Sequence, residues 1–199
     1  MFRPVNLAIL FVLIASLGLM AGQGKDDYFT QNEIDTIRDA QELKLRVPAY
    51  FELADRRLII LGVADKSEKQ KEKERKAQEQ YEKDRKKAGP NASRVKPPVD
   101  QLAYLHDFTR AELLRGYIQA IQEVMNNIDD HYSRKLDVRD ALEDLEEFTR
   151  RTLPLLEKYK PRNANDRAAH EEAIEKAQKA NEGAKDALQK VPKTEKKKP

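Results

Sequence analysis

The feature that most constrains this chain is a stripe of apolar residues, Ile37, Ala40, Leu43, Val47, Phe51, Ala54, Leu58 and Leu61, that steps every three or four positions and keeps its phase across a proline. Steps of that size put one side chain per turn on one face of an α-helix, and that face must be buried against other helices. Pro48 lacks an amide hydrogen and crowds the carbonyl of Lys44, four residues back. Two unrelated helices would need no common phase, so the preserved phase predicts one helix kinked at Pro48. The alternative makes Pro48 the first residue of a fresh helix. "TRRTLPLLEKY" repeats the arrangement, with Leu145, Phe148, Thr152, Leu156 and Tyr159 holding a stripe around Pro154.

The rest of the chain follows the same grammar. Thr30 and Glu33 have the spacing of a capping box, flanked by Phe29 and Ile34 as a hydrophobic staple, so a helix is expected to start at Thr30. Residues 66 to 87 are mostly charged, with Glu72 to Lys76, Glu79 to Lys83 and Glu82 to Lys86 in the favourable i,i+4 order, which predicts a solvated helical extension. Gly89 and Pro90 stop it, and Pro97 and Pro98 close an extended loop. A third apolar stripe runs from about Asp100 to Tyr132, and a fourth from Asp137 to about Lys160. A last helix, from about Asp166 to Lys190, presents Ala169, Ala173, Ala177, Ala180, Ala184 and Leu188. That narrow face buries little, so this helix is expected to be the least stable element. No alternating β-branched run occurs. The fold class is therefore all-α, an antiparallel bundle of four to five helices with a kinked first helix and a long charged extension.

The first residues read "MFRPVNLAILFVLIASLGLMAGQGKDD": Arg3, an uncharged apolar run from Leu7 to about Ala21, then small residues before Lys25. This is the layout of a secretory signal peptide, too short in its apolar run for a membrane anchor, so residues 1–24 are read as a cleaved leader. The bundle domain is then 25–190, within which 66–99 form the charged extension and its Pro-rich loop, and 191–199 a disordered basic tail. Once the leader is removed, no transmembrane helix is expected. The chain has no cysteine, so a lipid-anchoring Cys, disulfides, thiolate metal sites and Cys nucleophiles are all excluded. An exported chain without disulfides points to a bacterial periplasm or secretion from a bacterium.

Thirty-eight Lys and Arg nearly balance thirty-five Asp and Glu. A net charge of +3 gives no reason to expect nucleic acid as a partner. The histidines, His106, His131 and His170, lack a Glu three residues before them, as helical carboxylate metal sites require. No nucleophile motif, phosphate loop or HExxH occurs. No cofactor, metal or enzymatic activity is expected. Two candidate binding regions remain. Arg46, Tyr50 and Arg57 cluster near the expected bend and would shape a groove there, although the plainer reading leaves the arginines on the wet face with Tyr50 shielding the bend. Arg85, Lys86, Lys87, Arg94 and Lys96 collect positive charge around the turn that ends the extension.

The opening "YFTQNEIDTIRDAQELKLRVPAYFELADRRL", with "NNIDDHY" further on, resembles a group of uncharacterised secreted helical proteins from bacterial genomes, for which no activity is established. "FTQNE" (29 to 33) and "FTRAE" (108 to 112) are similar to the LTxxQ motifs of periplasmic helical chaperones and stress sensors, with Phe for Leu and Glu for Gln. The resemblances imply an exported helical protein. The function expected is binding of a protein or cell-envelope component. One alternative is a binder of polyanions or anionic membrane surfaces through the basic 66–96 segment. The other is a chaperone or stress sensor. The favoured reading keeps the basic tip as a solubilising surface only.

Overall fold

The computed structural model describes residues 28–98, 100 and 102–191. The expected leader lies outside the described residues, as does the expected tail beyond Val191.

Every described element is helical. Thr30 caps α1 (Gln31–Asp39): its hydroxyl accepts from the Glu33 amide at 3.3 Å while the Glu33 carboxylate accepts from the Thr30 amide at 2.9 Å, the reciprocal box read from the spacing. The chain then breaks at Ala40–Glu42, and α2 (Leu43–Leu61) begins. This corrects the single helix kinked at Pro48. The interruption falls eight residues earlier, and Pro48 lies in the second turn of a continuous α2. A proline so near a helix start leaves one carbonyl without its amide partner, while Val47, Phe51 and Ala54 on either side keep their places in the core. Pro48 is not the first residue of a helix either.

Gly62, with φ of 77°, turns the chain out of α2 by donating to the Ile59 carbonyl at 3.0 Å, and a left-handed residue there costs glycine nothing. The charged α3 (Glu68–Ala88) follows, capped by Ser67 and Gln70, and runs into a 3-10 helix, Gly89–Arg94. The helix expected from Asp100 is instead a short 3-10 helix, Ala103–Asp107, separated by a second capping box at Thr109 and Glu112 from α4 (Arg110–Ser133). The last two helices are α5 (Arg139–Lys158), with Pro154 inside it, and α6 (Ala164–Lys190), capped by Asn163. Six α-helices thus stand where four to five were expected.

Helices α2, α4, α6 and α5 pack in that order around one core. Arg46 reaches Asn127, and Arg57 lies against Gly116, so α2 and α4 are antiparallel. Phe51 stacks on Phe148 with ring centroids 4.2 Å apart, and Arg151 holds Asp55 at 2.9 Å, so α2 and α5 run parallel. Arg139 reaches the carbonyls of Leu188 and Val191 while His170 reaches that of Leu156, which makes α5 and α6 antiparallel. Helices joined in sequence are therefore antiparallel, but α4 and α5 sit diagonally and pack little against each other. At one end of the bundle α4 and α6 finish and α2 and α5 begin. The opposite end launches α3.

Ala169, Ala173, Ala177, Ala180 and Ala184 are all buried, because side chains this small let α6 lie close against both α4 and α5. This corrects the expectation that α6 contributes little. Among the described residues α3 has no buried side chain, and its main contact is with its own 3-10 continuation.

Candidate functional site

Arg57 is neither on the wet face nor in a groove. It is 1% exposed, and its guanidinium grips the Glu33 carboxylate two-pronged, at 2.9 Å on each oxygen. It also donates to the Leu53 carbonyl at 2.9 Å and the Tyr28 carbonyl at 2.6 Å, and lies 5.1 Å from the Phe29 ring. The Tyr104 hydroxyl donates to Glu33 at 2.7 Å. Burial pushes the Glu33 carboxyl up, but Arg57, the Thr30 amide and Tyr104 outweigh it and hold the group below its ordinary value. The glutamate that closes the α1 capping box therefore also fastens α1 and the chain preceding it to α2. Gly116 makes room for this: a Cβ there would lie 2.2 Å from the Arg57 Nε. The signal was present in the spacing, since Arg57 falls four residues after Leu53 and three after Ala54, on the apolar stripe. Charge suggested the surface, but the capping-box carboxylate supplied a partner inside.

Arg46 and Tyr50 also make contacts within the bundle, and Tyr50 helps wall a pocket of about 260 Å³ with Phe29, Ile34, Ile37, Gln119 and Glu123. Arg46 donates to the Ala40 carbonyl at 2.8 Å, closing the break between α1 and α2, and to Asn127 of α4 at 3.2 Å. Tyr50 is buried, and burial followed by the Glu123 carboxylate raises its hydroxyl above the ordinary tyrosine value. The three sequence candidates thus fasten α1, α2 and α4 together.

The basic group is placed differently. Arg85, Lys86, Lys87, Arg94 and Lys96 are all exposed, and none joins an ion pair among the described residues. The first half of α3 neutralises itself: Arg75 pairs with Glu72 at 2.7 Å and with Glu79, Lys76 with Glu72 at 3.3 Å, and Lys66 with Glu74 at 2.6 Å. Of the three pairs expected from spacing, only Glu72 with Lys76 forms, because Arg75 takes Glu79 and Gln78 bonds to Glu82. Positive charge without carboxylate partners is left at the far end of α3.

A second surface was not read from the sequence. The three large apolar side chains most open to solvent, Leu45 at 54%, Tyr132 at 61% and Leu136 at 50%, all belong to the end where α4 and α6 finish. Between α4, α5 and α6 at that end lies an apolar groove of about 300 Å³, walled by Met125 and Tyr132 on one side and by Gly183 and Ala187 on another, with Leu142 beneath. It exists because α4 and α5 are diagonal, leaving the space between their ends to the short side chains of α6. Lys135, with φ of 60°, occupies the left-handed position that closes α4, and its backbone lets the Leu136 amide bond the His131 carbonyl at 3.0 Å. A lysine there costs energy that a glycine would not. Leu136 follows it directly, 50% exposed. The available signal was Tyr132 ending an apolar stripe with Leu136 just after it, and one glycine inside an alanine-rich helix.

The histidines stay apart. His131 and His170 bond the carbonyls of Asn127 and Leu156, and His106 is exposed. No three His, Asp or Glu side chains come together among the described residues, and no described helix is long and apolar enough to cross a membrane. No protein-family model, curated protein or solved structure matches the chain.

Proposed function

We propose that this chain acts by binding rather than by chemistry, as an exported, periplasmic or secreted helical bundle that engages a protein or another cell-envelope component through the end where α4 and α6 finish. One observation carries the reading: an apolar groove opens at that end with Tyr132, 61% exposed, in its wall, and the other two most exposed large apolar side chains among the described residues, Leu45 and Leu136, belong to the same end of the bundle. Scattered apolar residues on a surface need no explanation, whereas apolar residues collected around a concavity mark contact sites. The test is a double variant, Tyr132→Ser with Leu136→Ser, which removes apolar surface without touching the core. Envelope partners retained by the native chain should be lost from the variant at unchanged melting temperature. Retention of the same partners by both proteins sinks the reading.

A second reading rests on the unpaired cations at the end of α3. There the partner is a polyanion or an anionic membrane surface, and affinity falls steeply between about 50 and 200 mM salt as counterions are released. Replacing Arg85, Lys86, Lys87, Arg94 and Lys96 by Gln abolishes such binding without disturbing the bundle, since all five lie off the core. If the replaced chain keeps its partners, the tip only solubilises. The chaperone or sensor reading gains less support, because "FTQNE" and "FTRAE" are both occupied as capping boxes.

A further inference from the structure

The groove at the end of α4 and α6 carries chemistry that narrows its partner, and the narrowing rests on the binding reading above. A glycine inside a helix is less favourable there than alanine, so each such glycine calls for a reason. Gly116 has one, the Arg57 side chain packed against it. Gly183 has none among the described residues: a Cβ at that position would meet no side chain and no other element within 4 Å, and the residue lines the groove. From Ala180 to Val191 this wall of α6 extends about 16 Å, or three helical turns. Short side chains along three turns admit the close approach of another helix. The polar residues of the groove have a sign. Asp129 on α4 and Asp186 on α6 stand on opposite walls, both exposed and neither in an ion pair among the described residues. Lys190 is the one cation of the lining, at the outer limit of α6.

We infer that this groove receives a cationic amphipathic helix of another protein, with apolar residues at i, i+3, i+4 and i+7 against Met125, Tyr132 and the α6 wall at Gly183, and with Lys or Arg on its flanks facing Asp129 and Asp186. The α3 of a second copy has the charge but not the apolar face, since its interior offers only Ala77 and Tyr81. The chain's own residues from 192 onward, "PKTEKKKP", have no apolar anchor at all.

The experiment measures fluorescence anisotropy of a labelled leucine–lysine peptide, leucines at the spacing above, titrated with the full chain, beside a leucine–glutamate peptide of the same length. The expected result is saturable binding of the lysine peptide at least about tenfold tighter than the glutamate peptide. Gly183→Leu fills the groove from a position with free space and better helix propensity, so it should weaken binding about tenfold or more while melting no lower than the native chain. Asp129→Lys with Asp186→Lys should weaken it similarly. Equal binding of both peptides, lost with Gly183→Leu, overturns the cationic class while leaving the binding reading intact. Undiminished binding by Gly183→Leu overturns the groove. No saturable binding overturns the inference outright, as does sedimentation of the chain alone with phosphatidylglycerol vesicles, or self-association of the chain, when either is lost in Gly183→Leu.

Discussion

Helices α3 and α6 are both long and charged, yet among the described residues one buries no side chain and the other is the seam of the bundle. The difference lies in spacing. In α6, Ala169, Ala173, Ala177, Ala180 and Ala184 recur at every turn, giving a face flat enough to lie against two neighbours. In α3, Ala77 has only Tyr81 in line with it, and ion pairs among exposed side chains must support the helix. Alanine therefore says little about burial, and its period says nearly everything. Ion pairs teach the same lesson: Glu72 and Arg75 sit on the surface of α3, while Glu33 and Arg57 sit inside the bundle, the carboxylate also bonded by Thr30 and Tyr104.

Hydrogen exchange should separate the two helices most widely. Core amides of α6 open only with the whole molecule, and those of α3 open locally, so their protection should differ by on the order of a thousandfold or more. Comparable protection in α3 would mean that it has a packing partner in solution, and the comparison would fail. Next in size is Glu33→Ala, which strands the buried Arg57 and should cost about 3–5 kcal/mol in urea unfolding. The matched change in the arm, Glu72→Ala, should leave the urea midpoint in place. Equal effects at the two positions would show that burial does not set the worth of these pairs.

The same pair sets a pH dependence. Because the folded Glu33 carboxyl is held below its ordinary value of 4.5, the unfolded chain binds its proton more readily. Its stabilisation is therefore complete above that value and drains away as the pH falls through the lower, folded one. Stability measured from pH 6 down to pH 3 should lose this slope in Glu33→Gln; an identical slope would place the acid sensitivity elsewhere. Ala177→Leu should then cost about 1–3 kcal/mol by forcing α6 off its neighbours, with no loss for Ala77→Leu in α3. A harmless Ala177→Leu would show that the α6 seam has slack. The smallest effect belongs to Lys135→Gly, expected to stabilise by about 1 kcal/mol by relieving the left-handed lysine. If it destabilises instead, the lysine side chain is held by contacts worth more than the backbone strain.

Much of the fold was legible in residue order. The cap at Thr30, the stripes of α2, α4 and α5, the alanine period of α6 and the solvated character of α3 all follow from local rules, because helix phase and end chemistry depend on residues within four positions of one another. The helix break was misplaced for a related reason. Pro48 is the conspicuous breaker, but a proline in the second turn forfeits only one hydrogen bond, and the chain turned at Ala40–Glu42, where Arg46 could hold the Ala40 carbonyl.

What the sequence determined by itself is the helical class and which face of each helix is apolar, since both are set by periodicity. Only tertiary structure decided who meets whom. Arg57 could be a surface charge or an internal clamp until Glu33, twenty-four residues away, was brought against it and Gly116 left it space. The groove at Tyr132 and Gly183 likewise depends on α4 and α5 lying diagonal, a choice made by the joint packing of four helices and by no short-range preference of the residues that line it.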